Sequence, residues 1–417
     1  MQVRIHRGSK EIGGSCVEVE ADGARLVLDV GKPLSAGWND EVPLPAVPGL
    51  ADGADSSLLG VLISHSHLDH YGLLPQVSPH VPIYAGAATA SMMAAAGFFS
   101  SASAAVTVAK PFVDRRPINV GPFTVTPYLA DHSAFDAYSL LVEAGDRRLF
   151  YSGDIRGHGR KASLFDRLIR QPPAGVHALL LEGTHVGGEG HAGEIVATEA
   201  GVEVAMAATF SSAAGLVAVV SSAQNIDRLV TVYRACLRSG RTLLVDLYTV
   251  AMAQATGRAT IPQPGFPALG VLVPQRQRVL VKTSGQFERT ESVRPFRVFP
   301  EAVMADPSKY VVLGSSGGVR DLLRDGGLGS DGAVVWSLWP GYLRDTSGLR
   351  FAELVRQRAV PFVIHHTSGH APVADLQRLV EAMNPERVVP IHTEGADQYA
   401  HHFADVQRHA DGDWWAV

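Results

Sequence analysis

Short apolar runs punctuate the first half of the chain, and each stops at a residue able to hold a metal or a proton. Val61-Leu62-Ile63 leads to His65, Phe123-Thr124-Val125 towards His132, Leu149-Phe150-Tyr151 to Gly153-Asp154, and Leu179-Leu180-Leu181 to Glu182. Brief apolar runs bounded by turn residues predict buried strands. Side chains at the ends of sheet strands are held more rigidly than those on free loops, which a metal site needs. Ahead of these runs, Val17 and Val19, then Asp22-Gly23, then Leu26 and Leu28 predict a hairpin around a turn dipeptide.

The pattern changes in the middle. Residues 194–218 are rich in Ala and Val, and Ile226, Leu229, Val230, Tyr233 and Leu237 follow helical spacing up to Ser239-Gly240. Leu243-Leu244-Val245 predicts a buried strand, and strand-like runs recur at Val311-Val312-Leu313 and Val334-Val335-Trp336. Alternating helix and strand predicts a parallel α/β unit. Residues 257–275, with several Pro and Gly, read as a surface excursion. The last sixty residues return to the first pattern: Phe362-Val363-Ile364 runs into His365, a helix carries Leu376, Leu379, Val380 and Met383 up to Asn384-Pro385, and Val388-Val389-Pro390-Ile391 delivers His392. The expected organisation is one domain interrupted by another: 1–190 and 362–417 outside, 191–361 inserted.

A length of 417 residues suits two or three such units. With 46% hydrophobic and 18% charged residues the composition is that of a globular protein, which argues against disorder. The net charge of −5 counts against a broad basic face, so a polyanion would have to be held by a local groove or by metals. Two cysteines and no CxxC pair exclude a zinc ribbon or a disulfide scaffold. There is no leader-like start and no apolar run of about 18 residues, so no membrane span is expected and the cytoplasm is the default location.

The chemistry concentrates in His65-Ser66-His67-Leu68-Asp69-His70. Imidazole and carboxylate together suit zinc or manganese. In extended chain His65 and His67 point the same way and can grip one ion, while Asp69 and His70, past the turn, can reach a second. Two ions about 3.5–4 Å apart need a bridging carboxylate and further imidazoles. His132, Asp154 and His392 are placed to supply them.

This string resembles the His-x-His-x-Asp-His signature of the metallo-β-lactamase superfamily. Leu181-Glu182-Gly183-Thr184-His185, Thr367-Ser368-Gly369-His370-Ala371 and Ile391-His392-Thr393-Glu394 narrow the resemblance to its β-CASP group, which includes ribonuclease J and the cleavage and polyadenylation specificity factor nuclease. The resemblance implies an α/β fold, an αββα sandwich with an inserted β-CASP-like parallel α/β domain. It implies one ion on His65, His67 and His132, another on Asp69, His70 and His392, and Asp154 between them, zinc first and manganese second. Asp69 and Asp154 would orient a hydroxide, His370 would protonate the leaving oxygen, and Glu182 would orient His370.

The implied activity is phosphodiester hydrolysis of RNA, single-stranded RNA being the expected partner. A DNA nuclease of the same fold and a small-substrate hydrolase of lactonase or thioesterase type are the alternatives. Val220 to Arg228 resembles the ribonuclease J stretch leading into a helix, which makes Ser221, Ser222 and Arg228 candidate phosphate contacts, though Ser222 could equally be a helix cap. Gly314-Ser315-Ser316-Gly317-Gly318, with Gly317 as the candidate contact, is a second candidate cradle, and Arg156, His158, Arg160 and Lys161 could line a polyanion groove. Glu182-Gly183-Thr184-His185 is not the usual ribonuclease J string. Ribonuclease J carries a further C-terminal domain for which no counterpart is expected here, which leaves the oligomeric state and processive action open.

Overall fold

In the computed structural model, which describes residues 1–37, 40–100, 106–187 and 198–417, the N-terminal hairpin forms around Asp22-Gly23. Strand β1 (Gln2–Arg7) pairs antiparallel with β2 (Cys16–Ala21), and β2 with β3 (Ala24–Leu28), Ala21 facing Ala24. Asp22 and Gly23 both have positive φ, 51° and 76°, as a two-residue turn of type I′ requires. The sheet continues through β4 (Leu58–Leu62), β5 (Ile83–Gly86) and β6 (Val108–Phe112), all parallel to their neighbours. A second sheet runs antiparallel through β7 (Ile118–Val120), β8 (Phe123–Leu129), β9 (Tyr138–Ala144) and β10 (Arg147–Tyr151), then adds β11 (Ala178–Glu182) in parallel.

The remaining strands are β12 (Val217–Val220), β13 (Thr242–Val245), β14 (Leu269–Val271), β15 (Tyr310–Gly314), β16 (Ala333–Trp336) and β17 (Phe362–Ile364), followed by β18 (Val388–Ile391) and β19 (Trp414–Ala416). β19 pairs with β1 at one edge of the first sheet, and β18 lies parallel to β11 at one edge of the second. The strand order is β19-β1-β2-β3-β4-β5-β6 in the first sheet and β18-β11-β10-β9-β8-β7 in the second.

Two units result: Met1–Glu194 with Gly369–Val417, and Ile195–Ser368. In the first, Val3, Val17, Leu26 and Leu28 from one sheet meet Phe123, Leu140, Leu149 and Leu180 from the other in a shared apolar layer. The outer face of the first sheet packs Val27 and Val61 against Tyr71 and Met93 from helices. The outer face of the second packs Phe150 and Leu179 against Phe165 of the helix Ala162–Arg170 and Leu376 of the helix Val373–Met383. Helix, sheet, sheet, helix is the αββα order.

The second unit is an all-parallel sheet in the order β14-β13-β15-β12-β16-β17. Its strands other than the edge strand β17 are largely buried on both faces, as the near-continuous Val and Leu runs require. The helix Ile226–Ser239 ends at Gly240, whose φ of 71° is the left-handed cap that glycine adopts without strain.

Two expectations are corrected. Phe362–Ile364 does not reopen the outer domain: it pairs in parallel with β16 and completes the inserted sheet, and the first unit resumes at Gly369. An apolar triplet serves either sheet equally well, and strand pairing chooses. The 257–275 excursion contains β14, which pairs with β13. The boundary expected between 190 and 191 lies outside the described residues. Among the described residues no helix is long and apolar enough to cross a membrane.

Candidate metal centre

The expected ligands come from loops that follow strand ends in the first unit. After β4 the chain passes His65 and His67 and turns into the short helix Leu68–Tyr71, which carries Asp69 and His70. His132 follows β8, Asp154 follows β10 and His392 follows β18. Glycines admit the close approaches. A Cβ on Gly31 would lie 1.8 Å from the backbone oxygen of Asp69, and Gly153 sits at a φ of 54° just before Asp154. His392 itself has a φ of 54°. A non-glycine residue there is strained, and such strain is characteristic of functional sites.

These side chains form two bays that share Asp154: His65, His67, His132 and Asp154, and Asp69, His70, Asp154 and His392. In each bay one potential ligand atom per residue lies within 4.8 Å of all the others. Asp154 Oδ2 is 3.2 Å from His70 Nε2, 3.5 Å from His65 Nε2 and 3.8 Å from His132 Nε2. His392 Nε2 is 3.2 Å from Asp69 Oδ2 and 3.8 Å from Asp154 Oδ1. His132 Nε2 lies 3.1 Å from His67 Nδ1.

The far side of the rings shows why a cation fits. His70 Nδ1 donates to Asp29 Oδ2 at 2.8 Å, His132 Nδ1 to the Gly369 carbonyl at 2.6 Å, and His392 Nδ1 to Thr184 Oγ1 at 3.1 Å. His65 Nδ1 meets Ser64 Oγ at 3.0 Å, and that hydroxyl donates onward to Asp29 Oδ2 at 2.7 Å. With Nδ1 carrying the proton, Nε2 presents a lone pair inward, which is how outer partners orient histidine ligands. Inside the bays, His65 Nε2, His70 Nε2 and both carboxylate oxygens of Asp154 are buried without a hydrogen-bond partner among the described residues. Four such atoms converging in one place would be costly unless a cation satisfied them.

The protonation states agree with this. Burial, reinforced by His70 and His132, drives His65 well below the ordinary histidine range, and burial brings His67 down to about 4. Burial also drives His132 well down, against the pull of Asp154. Burial alone would raise Asp154, but His392, His70 and His370 hold it well below the carboxylate range. Burial is likewise outweighed at Asp69, which His70 and His392 hold at about 2. Neutral imidazoles and ionised carboxylates are the forms that bind metals. His70 differs: burial favours its neutral form, but Asp154, Asp69 and Asp29 outweigh that and raise it well above the usual value. It is the ring whose proton a cation would replace.

His370 and Glu182 stand beside the bays. His370 Nδ1 is 3.4 Å from Glu182 Oε1, 3.9 Å from Asp154 Oδ2 and 3.1 Å from Thr184 Oγ1. Burial disfavours the charged ring, yet Glu182 and Asp154 outweigh it and raise His370 to about 9. Glu182 is fully buried, while the His370 side chain keeps 20% of its surface exposed. A cationic imidazole, backed by a buried carboxylate and still reachable, can deliver a proton.

Sequence reasoning missed the groups that aim the ligands. Asp29 is fully buried and accepts from Ser64 N, Ser64 Oγ, His70 Nδ1 and the Tyr151 hydroxyl, all at 2.7–2.8 Å. Its only signal is its place at the end of the predicted Leu26–Leu28 strand. Thr184, inside the quoted string after Glu182, touches both His370 and His392.

The weaker phosphate candidates fall in the second unit and are mostly structural. Arg228 is fully buried, paired with Glu199 at 3.0 Å and donating to the Ser337 carbonyl at 2.9 Å, so it is withdrawn from any surface. Ser222 is exposed and is not the helix cap; Asn225 is, accepting from Arg228 N. Ser221 is buried with a hydroxyl that has no hydrogen-bond partner among the described residues. Gly317 lies in the first turn of the helix Ser316–Arg324, capped by Ser315, and not in an open loop. In the first unit, Arg156 is fully buried against Asp131, so it cannot line a groove.

A family model described as a beta-lactamase superfamily domain matches residues 36–209, and one described as a Zn-dependent metallo-hydrolase RNA specificity domain matches residues 358–410. Ribonuclease J of Sinorhizobium meliloti is 24% identical over 387 residues, covering 87% of this chain and 62% of that protein. Ribonuclease J of Helicobacter pylori is 21% identical, covering 93% and 55%. Ribonuclease J of Pyrococcus abyssi is 23% identical, covering 93% and 88%. The chain therefore spans less than two thirds of the Sinorhizobium and Helicobacter proteins. A crystal structure described as a protein of unknown function from Enterococcus faecalis V583 shares the fold at a TM-score of 0.79, with 18% identity and coverage of 100% and 99%. With relatives along nearly its whole length, a sandwich of the matching architecture and the motif residues gathered at one edge of it, the chain belongs to the metallo-β-lactamase superfamily, in the β-CASP group that includes ribonuclease J.

Proposed function

We propose that the chain is a metal-dependent phosphodiesterase that hydrolyses RNA, with two divalent ions, zinc or else manganese. One ion would be held by His65, His67 and His132, the other by Asp69, His70 and His392, and Asp154 would serve both. The observation that carries the reading is the pair of bays around Asp154, in which His65 Nε2, His70 Nε2 and both Asp154 carboxylate oxygens have no hydrogen-bond partner among the described residues. Bound ions supply Lewis acidity to a phosphoryl group and lower the pKa of water towards about 7.

The chain's own residues do the rest. Asp69 and Asp154 stay ionised and accept the hydrogen bonds that orient an attacking water. His370 holds Nδ1–H towards Glu182 and so directs Nε2–H outward, where it can pass its proton to the departing 3′ oxygen. Glu182 is the positioning residue: it fixes the ring and keeps it cationic. A substrate with a poor leaving group, as in RNA, needs that proton most. The test is incubation of the purified protein with end-labelled single-stranded RNA and DNA, with and without chelator. Chelator-sensitive cleavage of RNA is expected. Cleavage of DNA alone points to the nuclease of the other polymer, and cleavage of neither, after metal resupply, overturns the reading.

A further inference from the structure

Between the helices Ser316–Arg324 and Thr346–Gln357 of the second unit lies an open groove of about 340 Å³, lined by Arg320, Arg324, Arg350, Glu353, Leu354 and Gln357. Three arginines therefore line one groove in a protein whose net charge is −5. Some arginines elsewhere on the chain have carboxylate partners, Arg148 with Glu143 at 2.9 Å, Arg356 with Glu353 at 2.7 Å and Arg378 with Asp375 at 2.8 Å, while the exposed Arg258, Arg276, Arg278 and Arg344 have none among the described residues. Among the described residues, Arg320, Arg324 and Arg350 have no carboxylate within 4.0 Å. The groove's one acid, Glu353, is engaged by Arg356 and Gln357 instead.

Helix electrostatics explain only one of the three. Arg324 stands in the last turn of its helix, where a cation complements the dipole. Arg320 is in the middle of that helix. Arg350 is near the N-terminal end of the other, where the dipole gives a cation no support. The Nε–H of Arg320 is also buried and donates to nothing among the described residues. Like charges brought together with a donor left over indicate an anion that supplies what the protein does not.

We infer that this groove of the second unit binds the phosphodiester backbone of the nucleic acid. The inference rests on the nuclease reading for the identity of the anion. Nucleic acid is favoured over free phosphate by the aromatic pair on the turn that leads into the second helix. Trp339 and Tyr342 are 44% and 46% exposed, with ring centroids 5.4 Å apart. A Cβ on Gly341 would lie 2.1 Å from the Trp339 indole, so the glycine lets the ring lie flat on the backbone. A partly exposed indole on the turn that leads into a helix carrying one of the groove's arginines is a surface on which an unpaired base can stack.

The experiment measures binding of a labelled 20-nucleotide single-stranded RNA to chelator-treated protein across a salt series. Variants are the triple Arg320→Gln, Arg324→Gln, Arg350→Gln and the same three positions changed to Lys. Each lost phosphate contact should flatten the slope of log affinity against log salt by about 0.7, which is about fivefold per arginine at 0.1 M salt and about 100-fold for all three. The Lys variant should recover most of the slope, which a folding defect would not. An unchanged slope in the Gln variant, or no binding by the unaltered protein, overturns the groove. So does stabilisation of the unaltered protein by inorganic phosphate that the Gln variant loses while its RNA binding is intact. The two readings fail separately. Cleavage with an unchanged slope leaves the nuclease and removes the groove, and a flattened slope without cleavage by the metal-loaded protein does the reverse.

Discussion

Replacing Asp29 with asparagine removes one charge and turns one acceptor oxygen into a donor behind the metal bays. Oδ1 accepts from Ser64 N at 2.7 Å, and Oδ2 accepts from Ser64 Oγ, His70 Nδ1 and the Tyr151 hydroxyl at 2.7–2.8 Å. If the new NH₂ takes the first place it faces the Ser64 N–H. If it takes the second it faces the His70 N–H, although the two hydroxyls can turn to accept. Either way at least one buried donor is left opposed, at a cost of about 1–3 kcal/mol. Asparagine tolerates the positive φ of 59° at this position, so the backbone adds little. Alanine would strip all four donors and cost at least about 4 kcal/mol, a large part of a total stability of about 5–15 kcal/mol. Asp29→Asn is therefore the usable variant: folded, with His70 no longer aimed. Loss of an outer partner of a ligating histidine typically costs about 10–100-fold in metal affinity. The assay is competition with a chelator of known affinity, read as metal retained per chain, alongside a melting curve. Metal affinity within threefold of the unaltered protein would show that Asp29 does not orient His70, and the tautomer argument for the site would fail with it.

Four further outcomes are expected. His370→Ala should keep its metal content yet cleave RNA about 10²–10⁴-fold more slowly, while a nitrophenyl phosphodiester, with its good leaving group, is much less affected. Asp154→Ala should lose metal and both activities together, and His370→Ala losing its metals would instead make His370 a ligand. Gly31→Ala should place a Cβ 1.8 Å from the Asp69 carbonyl oxygen, destabilise by about 1–3 kcal/mol or more and weaken metal retention; an unchanged melting temperature would show that the loop can move aside. Chelation should lower the melting temperature, because a ligand at a hundredfold excess over its dissociation constant stabilises by about 2.7 kcal/mol. Identical melting with and without chelator would mean that no ion binds the folded chain.

Strand ends that stop at His65, Asp154 and Glu182 were legible because a buried strand is a short apolar run and a ligand at its end is polar, so the contrast is local. The hairpin at Asp22-Gly23 and the helix stop at Gly240 were legible for the same reason: both depend on φ preferences of single residues. What the linear pattern could not carry was partnership between distant residues. Phe362–Ile364 suits either sheet by composition, and only its pairing with β16 assigns it. Arg228 reads as a phosphate contact until Glu199, 29 residues away, is seen to bury it, and Arg156 likewise disappears behind Asp131. Asp29 has no motif around it; its role exists because folding brings it to Ser64, His70 and Tyr151. Which residues can hold a metal is a matter of side-chain chemistry and can be read along the chain. Which of their atoms face inward, and which neighbours fix them there, is decided by contacts between strands, and those exist only once the sheets have formed.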